Sequence, residues 1–424
     1  MEGGIDHVLT AQWFVGIDWA MDAHTVCILD REGRVCERRE VKHTAVALQV
    51  FVDELVARAN GAPQHVAIGI EVPRGAVVDL LVERGFAVYA INPKQLDRFR
   101  DRFTTGGAKD DRRDAWVLAD SLRTDPAAYR RVHLDEPVVI ELREWARADE
   151  ELGVELTRLT NQLRDLIYRM TPGLLALCPA ADEPWFWALL RDAPTPAAQQ
   201  RFSERRLGRL LKDQRIRRLT AAQVREVLQQ SAVYTAPGVV GAVAARVQLL
   251  LPRVELVARQ RRAAERHLKR LLTPLEAEAP PAGAQREHSD VAIVLSMPGI
   301  GTRVAARMLA EASQPLVTRA YHVLRSRLGL APVTKQSGRS RSVSMRYACS
   351  RRLREAAYHW ARVGVQKDPA SRAYYSRLRE RGHTHGRSLR SVADRLLRIL
   401  MKLLERGLLY DPAYGQSEPI TAGA

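Results

Sequence analysis

Between residues 12 and 125, short apolar runs alternate with amphipathic ones, and this pattern admits few folds besides a mixed α/β sheet. "WFVGID" reads as a buried strand, followed by "HTVCILD" and "RVCERREV" with "REG" turning between them. "TAVALQVFVDELVARA" has helical spacing, "HVAIGIEV" is a fourth apolar strand and "GAVVDLLVERG" a short helix. "FAVYAIN" makes a fifth strand and "DRRDAWVLADSLR" a further helix.

Two of these strands end on an acid. Asp18 closes the first and Glu71 the fourth. A carboxylate directly after a buried strand is costly to desolvate unless a cation or hydrogen bonds compensate it. Neighbouring strands of one sheet would bring the two side chains to the same end. Further on, Asp110, Asp111 and Asp114 fall beside Lys109, Arg112 and Arg113 at a helix start. Taken alone, that trio indicates a capped helix, because capping and the macrodipole both favour acids in the first turn. Asp111 and Asp114, three apart, share one helical face.

The informative feature is the combination. Four converging carboxylates repel one another, and divalent cations relieve the conflict. Mg²⁺ takes oxygen ligands and retains water, which leaves positions for a substrate phosphate. Two such ions about 3.5–4 Å apart stabilise the attacking and leaving oxygens of a phosphoryl displacement.

The charge balance agrees. Lys and Arg total 66 against 49 Asp and Glu, a net charge of +17. Arginine supplies most of it, and its planar fork suits phosphate. Nucleic acid is the leading partner class. An anionic membrane lacks support, since no basic amphipathic terminus or lipidation signal is evident. Four scattered cysteines without a CxxC pair argue against a zinc ribbon or a disulfide scaffold. The first residues lack the pattern of a signal peptide, and no apolar run approaches the roughly 20 residues of a membrane span. The expectation is a cytoplasmic, nucleoid-associated protein with no membrane contact.

Residues 137–275 carry two heptad-like segments, 137–171 and 240–272, with Arg261 interrupting the second and Pro252 expected to kink it. An antiparallel coiled-coil arm is predicted, with a plain helical bundle as the alternative. A basic helical insertion lies at about 176–236, "PPAGAQ" at 280–285 reads as a linker, and 288–408 reads as a helical Arg-rich domain. The tail 409–424 is expected to be disordered.

The last domain holds two motifs. In "SMPGIGTRVAARML", Gly299, Gly301, Thr302 and Arg303 resemble a helix-hairpin-helix turn whose amides suit a phosphate, although a plain tight turn explains the residues as simply. In "TKQSGRSRSVSMR", Ser337 sits among Lys335, Gln336, Gly338, Arg339, Arg341 and Arg346. The simpler account is a solvated loop binding phosphate; the sharper one makes a serine the nucleophile, with arginines stabilising the phosphorane. Tyr358, Trp360, Tyr374 and Tyr375 lie at helical spacings near this stripe and suit a core better than base stacking. His383 and His385 form a lone HxH.

"FVGIDWAMDAHTVCILD", "AIGIEVPRG", "VYAINPKQLDRFR" and "GGAKDDRRDAWVLADSL" resemble the catalytic domain of the DEDD transposases, the insertion-sequence family described as bridge-RNA-guided recombinases. "LSMPGIGTRVAARMLAE", "LGLAPVTKQSGRSRS", "LREAAYHWARV" and "SLRSVADRLLRILMKLLERG" resemble that family's second domain. The resemblance implies an RNase H-like, RuvC-like fold over 12–125 and an acidic tetrad at Asp18, Glu71, Asp111 and Asp114 holding Mg²⁺, two ions being expected. It implies that the serine of the Gln-Ser-Gly turn, Ser337, is the nucleophile, and that the serine and the acids form one composite centre. It also implies DNA partners (element ends and target) and a structured guide RNA, while the predicted coiled-coil arm suits a homo-oligomer, dimer or tetramer, around two DNA partners. The family's usual Lys-Thr-Asp is here Lys109-Asp110-Asp111, so Asp110 competes as a ligand, and "VPRG" replaces a Thr-Gly-type turn after Glu71. The rivals are a RuvC-like nuclease or resolvase using water, and a nonenzymatic DNA-binding descendant.

Overall fold

The computed structural model describes residues 10–102, 110–132, 135–230, 238–278, 288–338 and 340–412, with Val8 and Ala236 besides. The expected linker at 280–285, Lys109, Arg339 and the tail beyond residue 412 lie outside the described residues. The chain divides into two compact units, Met1–Asp135 and Glu136–Ala424.

The first unit is built on β1 (Trp13–Asp18), β2 (Ala23–Leu29), β3 (Val35–Lys42), β4 (Val66–Ile70), β5 (Ala87–Ala90) and the short β6 (Arg130–Arg131). The helices are α1 (Ala45–Arg58), α2 (Ala76–Glu83), α3 (Pro93–Asp101) and α4 (Asp111–Thr124). The strands lie in the order β3-β2-β1-β4-β5-β6. β1, β2 and β3 pair antiparallel, whereas β1, β4 and β5 run parallel. This mixed sheet is consistent with an RNase H-like domain. Both faces are covered: Val15 and Ile17 of β1 join the core under α1 and α2, while Phe14 faces the core under α4. That is why the central strands read as unbroken apolar runs. The edge strand β3 carries the charges of "VCERREVK" into water, which discourages edge pairing. α3 and β6 went unrecognised in the sequence pattern.

α4 sits on the sheet at backbone contact. Gly16 and Gly69 are register partners across β1 and β4. A Cβ on Gly16 would stand 1.9 Å from the Ala115 carbonyl oxygen, and one on Gly69 3.0 Å from that of Leu118. Two facing glycines therefore open the groove that the helix fills.

The second unit centres on two long helices, α5 (Pro137–Met170) and α10 (Val239–Ala277). At about 1.5 Å per residue they run roughly 50–58 Å. Their contacts are antiparallel: Glu141 meets His267 at 2.9 Å, and Asp149 meets Arg261 at 3.5 Å. Arg261, the break in the heptads, is thus the partner of a buried acid. Pro252 lies inside α10, which continues through it.

The basic insertion between these helices folds as α6 (Pro184–Asp192), α7 (Pro196–Gln200), α8 (Glu204–Asp213) and α9 (Ala221–Gln229). They share a core with Leu159, Leu163, Val247 and Val254 of the long helices, and Trp185, Phe186 and Trp187 are buried in it. A separate core joins Leu142, Ala146, Leu268 and Leu272 to α11 (Asp290–Ser296), α12 (Thr302–Glu311), α13 (Ser313–Val317) and α14 (Tyr321–Arg327). It extends to α15 (Arg351–Lys367), α16 (Pro369–Glu380) and α17 (His385–Arg406). The hairpin β7 (Val333–Ser337) and β8 (Ser340–Ser344) projects between α14 and α15 in sequence.

Candidate functional site

The strand-end acids are placed by register. Ile17 of β1 pairs with Ile70 of β4 in parallel, so Asp18 and Glu71 follow side by side at the carboxyl ends of adjacent strands. Both are half-buried. Asp111 and Asp114 arrive from α4, whose first turn is anchored one residue later by the contact of Ala115 with Gly16. Asp111 is exposed, and Asp114 is only 3% exposed. Asp114 Oδ1 lies 3.0 Å from Arg100 Nε on α3. That arginine keeps the buried carboxylate compensated, and nothing in "DRFRD" signalled it.

Asp110 has a different task. It is the N-cap of α4: its carboxylate accepts from the Arg112 amide at 3.1 Å, and its carbonyl accepts from Arg113 and Asp114. Arg112 lines a cleft of about 390 Å³ with Thr25, Arg38, Arg39 and Glu40. Thr25 is the register partner of Asp18, so this cationic cleft opens on β2 beside the strand-end acid. Arg113 is half-buried. Behind the β1–β2 turn, buried His24 hydrogen-bonds His43 at 2.8 Å and accepts from the Ala20 amide at 3.4 Å. Burial, and then the His43 charge, hold the His24 imidazole below its usual value.

Among the described residues, the trio of potential ligands drawn within 4.8 Å of one another is Cys178, Asp182 and Glu183, not the tetrad. Glu183 in that trio is already committed, accepting from Trp185 Nε1 at 2.8 Å and from Arg218 at 2.5 Å. Burial pushes the Cys178 thiol up. The trio therefore reads as a structural knot at the start of α6.

In the second unit, Ser337 ends β7 and pairs with Ser340 across the tight turn that begins at Gly338. Gly338 has φ 54°, the left-handed value such a turn requires. Strand alternation puts Lys335, Ser337, Ser340 and Ser342 on one face, with Gln336 and Arg341 on the other. All six are exposed. Arg346 stands at the hairpin's foot, its Nε donating to the Ala331 carbonyl at 3.3 Å.

The Pro-Gly-Ile-Gly turn is built for packing. Gly299 has φ 88°, and a Cβ there would lie 2.5 Å from the Gly364 amide nitrogen. Trp360 Nε1 donates to the Pro298 carbonyl at 3.0 Å. Gly301 caps α12 in open space, with Thr302 as its first residue. Arg303, expected on phosphate, instead bonds Asp149 at 2.9 Å and Glu265 at 3.0 Å. Trp360 is fully buried, and Tyr375 shares a 2.8 Å hydrogen bond with His385 of the HxH.

Comparison with known proteins fits this arrangement. Residues 15–172 match the transposase family of the IS110 DEDD type, and residues 291–376 match the IS116/IS110/IS902 transposase family. The chain is 30% identical over 411 residues to a Streptomyces coelicolor protein named as the mini-circle transposase for IS117, covering 94% of this chain and 95% of that one. It is 29% identical over 405 residues to the IS110 insertion-element 43.6 kDa protein of the same organism, covering 94% and 95%. A Sinorhizobium fredii protein named as a transposase is 46% identical over 209 residues, 49% of this chain and 58% of that relative's length. No helix among the described residues is long and apolar enough to cross a membrane. Two family patterns in order, and a relative aligned almost end to end, establish that the chain belongs to the IS110 family of DEDD transposases.

Proposed function

We propose that this transposase cuts and rejoins insertion-sequence DNA through a phosphoserine at Ser337, with Mg²⁺ held by Asp18, Glu71, Asp111 and Asp114. The observation that carries the reading is the register placing Asp18 beside Glu71, with α4 seated on the glycines of those same strands. The donor set fits the ion: it is all carboxylate oxygen, and hard cations of this size prefer it. When bound, Mg²⁺ supplies Lewis-acid neutralisation of charge on the reacting phosphate. Asp114 and its partner Arg100 hold the helical side of the site in place, and Arg112 offers a guanidinium to the approaching backbone.

At the serine, Oγ loses its proton and forms a bond to phosphorus. The bond from phosphorus to the departing sugar oxygen breaks, and that oxygen takes up a proton. The phosphodiester energy is kept in the serine ester, so attack by a new sugar hydroxyl rejoins DNA and frees Ser337. DNA ends and target are the substrates, a guide RNA follows from the family resemblance, the long helical arm suits a dimeric or tetrameric assembly, and a cytoplasmic, nucleoid-associated setting follows from that substrate.

One observation favours a second reading, hydrolysis by water with Ser337 only gripping phosphate. Among the described residues, the Ser337 hydroxyl has no hydrogen-bond partner that could act as its base. The test is trapping. The protein is incubated with Mg²⁺, element-end DNA and RNA from the element's flanks, and an alkali-sensitive protein–DNA adduct is sought by mass mapping. The proposal expects the adduct on Ser337, and none in Ser337→Ala or Asp18→Ala. A Ser337→Ala protein that cleaves at the normal rate selects the water mechanism.

A further inference from the structure

Beside the foot of the serine hairpin lies a cavity of about 410 Å³ walled by arginine. One wall is a single face of α17, on which Arg387, Arg390 and Asp394 recur at helical spacing. The other wall is the chain leaving β8, with Ser344 and Arg346. Arg325 of α14 also lines it.

The charges do not cancel. Asp394 is already matched, accepting from Arg325 Nε at 2.8 Å, from the second Arg325 nitrogen at 3.1 Å, and from the Tyr321 hydroxyl at 3.1 Å. Arg398 adds a contact at 3.8 Å. Among the described residues, no carboxylate pairs with Arg346, Arg387 or Arg390 within ion-pair distance. Three uncompensated guanidinium groups around one concavity repel each other, and a phosphodiester oxygen relieves that repulsion. The cavity wall is more polar than apolar, which suits an anion rather than an apolar ligand.

Its distance from Ser337 is fixed by the ribbon. Ser340 pairs with Ser337, and Ser344 in the cavity wall lies four residues along the same strand. At about 3.3 Å per residue that is roughly 13 Å. Because 3.4 Å is only the rise along the duplex axis and each strand also winds about it, phosphates of one strand that lie roughly 13 Å apart are about two nucleotides apart.

We propose that Arg346, Arg387 and Arg390 form a docking site for a DNA backbone phosphate about two nucleotides from the phosphate at Ser337. The position in nucleotides rests on the reading of Ser337 as the nucleophile; the phosphate site itself does not. The site grips the strand on one side of the break while the hairpin face carrying Ser337 meets the break itself.

The test is binding of the full-length protein to element-end duplex DNA without Mg²⁺, across a salt series. Arg387→Gln/Arg390→Gln is expected to flatten the slope of log affinity against log salt by about 0.9, the value of one phosphate contact. Arg387→Lys/Arg390→Lys is expected to keep most of the slope. If the double variant fails to fold by circular dichroism, each single Gln variant serves, with a smaller flattening in the same direction expected. A neutral methylphosphonate moved along the strand should weaken wild-type binding most at about two nucleotides from the cleaved bond, and leave the Gln variant indifferent there. An unchanged slope overturns the proposal. So does a slope lost on structured RNA and kept on duplex DNA. Because binding is read without metal or chemistry, a flattened slope beside a missing Ser337 adduct would sink the nucleophile and leave the phosphate site standing.

Discussion

A single methyl group at Gly16 tests the packing on which the proposed four-acid site depends. In Gly16→Ala the new Cβ would lie 1.9 Å from the Ala115 oxygen and 2.6 Å from the Ala119 nitrogen. Both are main-chain atoms of α4, so no flexible tip can swing aside. Ordinary carbon contact begins near 3.4 Å, and the helix must therefore retreat by about 1.5 Å. Overpacking of this kind costs about 1–3 kcal/mol. The displaced turn is the one that bears Asp111 and Asp114. A misplacement of about 1 Å at a reacting centre lowers rate on the order of 10²-fold. The assays are urea unfolding and Mg²⁺-dependent cleavage of element-end duplex DNA. Gly241→Ala is the control: nothing lies within 4 Å of its Cβ, and alanine suits a helix interior. We expect Gly16→Ala to lower the unfolding midpoint and to cut cleavage far more than its residual instability explains. A Gly16→Ala protein with wild-type midpoint and rate would refute the argument that backbone contact sets the site.

Other substitutions separate structural from functional acids. Asp110→Ala should cost about 1 kcal/mol as a lost helix cap, and Asp110→Ser should restore it with cleavage intact; loss of cleavage in both would make Asp110 a ligand. Asp149→Ala leaves Arg303 and Arg261 facing an empty partner and should destabilise the second unit by about 1.5–3 kcal/mol in urea titration, the arginines being partly solvated. His24 has a lowered pKa, so the unfolded chain binds its proton more readily. Its contribution to stability is complete above the ordinary 6.5 and is lost as pH falls through the lower folded value. Melting temperature should therefore drop between about pH 7 and 5, and His24→Gln should flatten that dependence.

The sheet was legible because its central strands are buried on both faces and its helices on one, so unbroken apolar runs stand apart from amphipathic ones. The pairing of Asp18 with Glu71 was inferable from two apolar runs each ending on an acid. Asp110 as a cap followed from its place before "DRRD". The service of Arg100 to Asp114 was not legible, since an ion pair between helices leaves no local pattern. Arg303 illustrates the opposite failure: a basic residue after a glycine turn looks like a phosphate ligand, and only the buried Asp149 on a distant helix reveals its engagement. Arg387 and Arg390 were hidden among many arginines of α17, because their shared concavity depends on where β8 ends.

The hairpin that carries Ser337 has almost every side chain in water and only two strands to hold it. A ribbon of this kind is marginally stable without a further surface to lie on. On the proposed mechanism, that weakness is a form of latency. A nucleophile mounted on a loosely held ribbon has no fixed aim, and the entropic cost of ordering it is offset only when a correctly seated duplex clamps it. A random phosphodiester that touches Ser337 briefly would find it unaimed, so an enzyme that must survive beside its host's chromosome can keep its reactive group in the open.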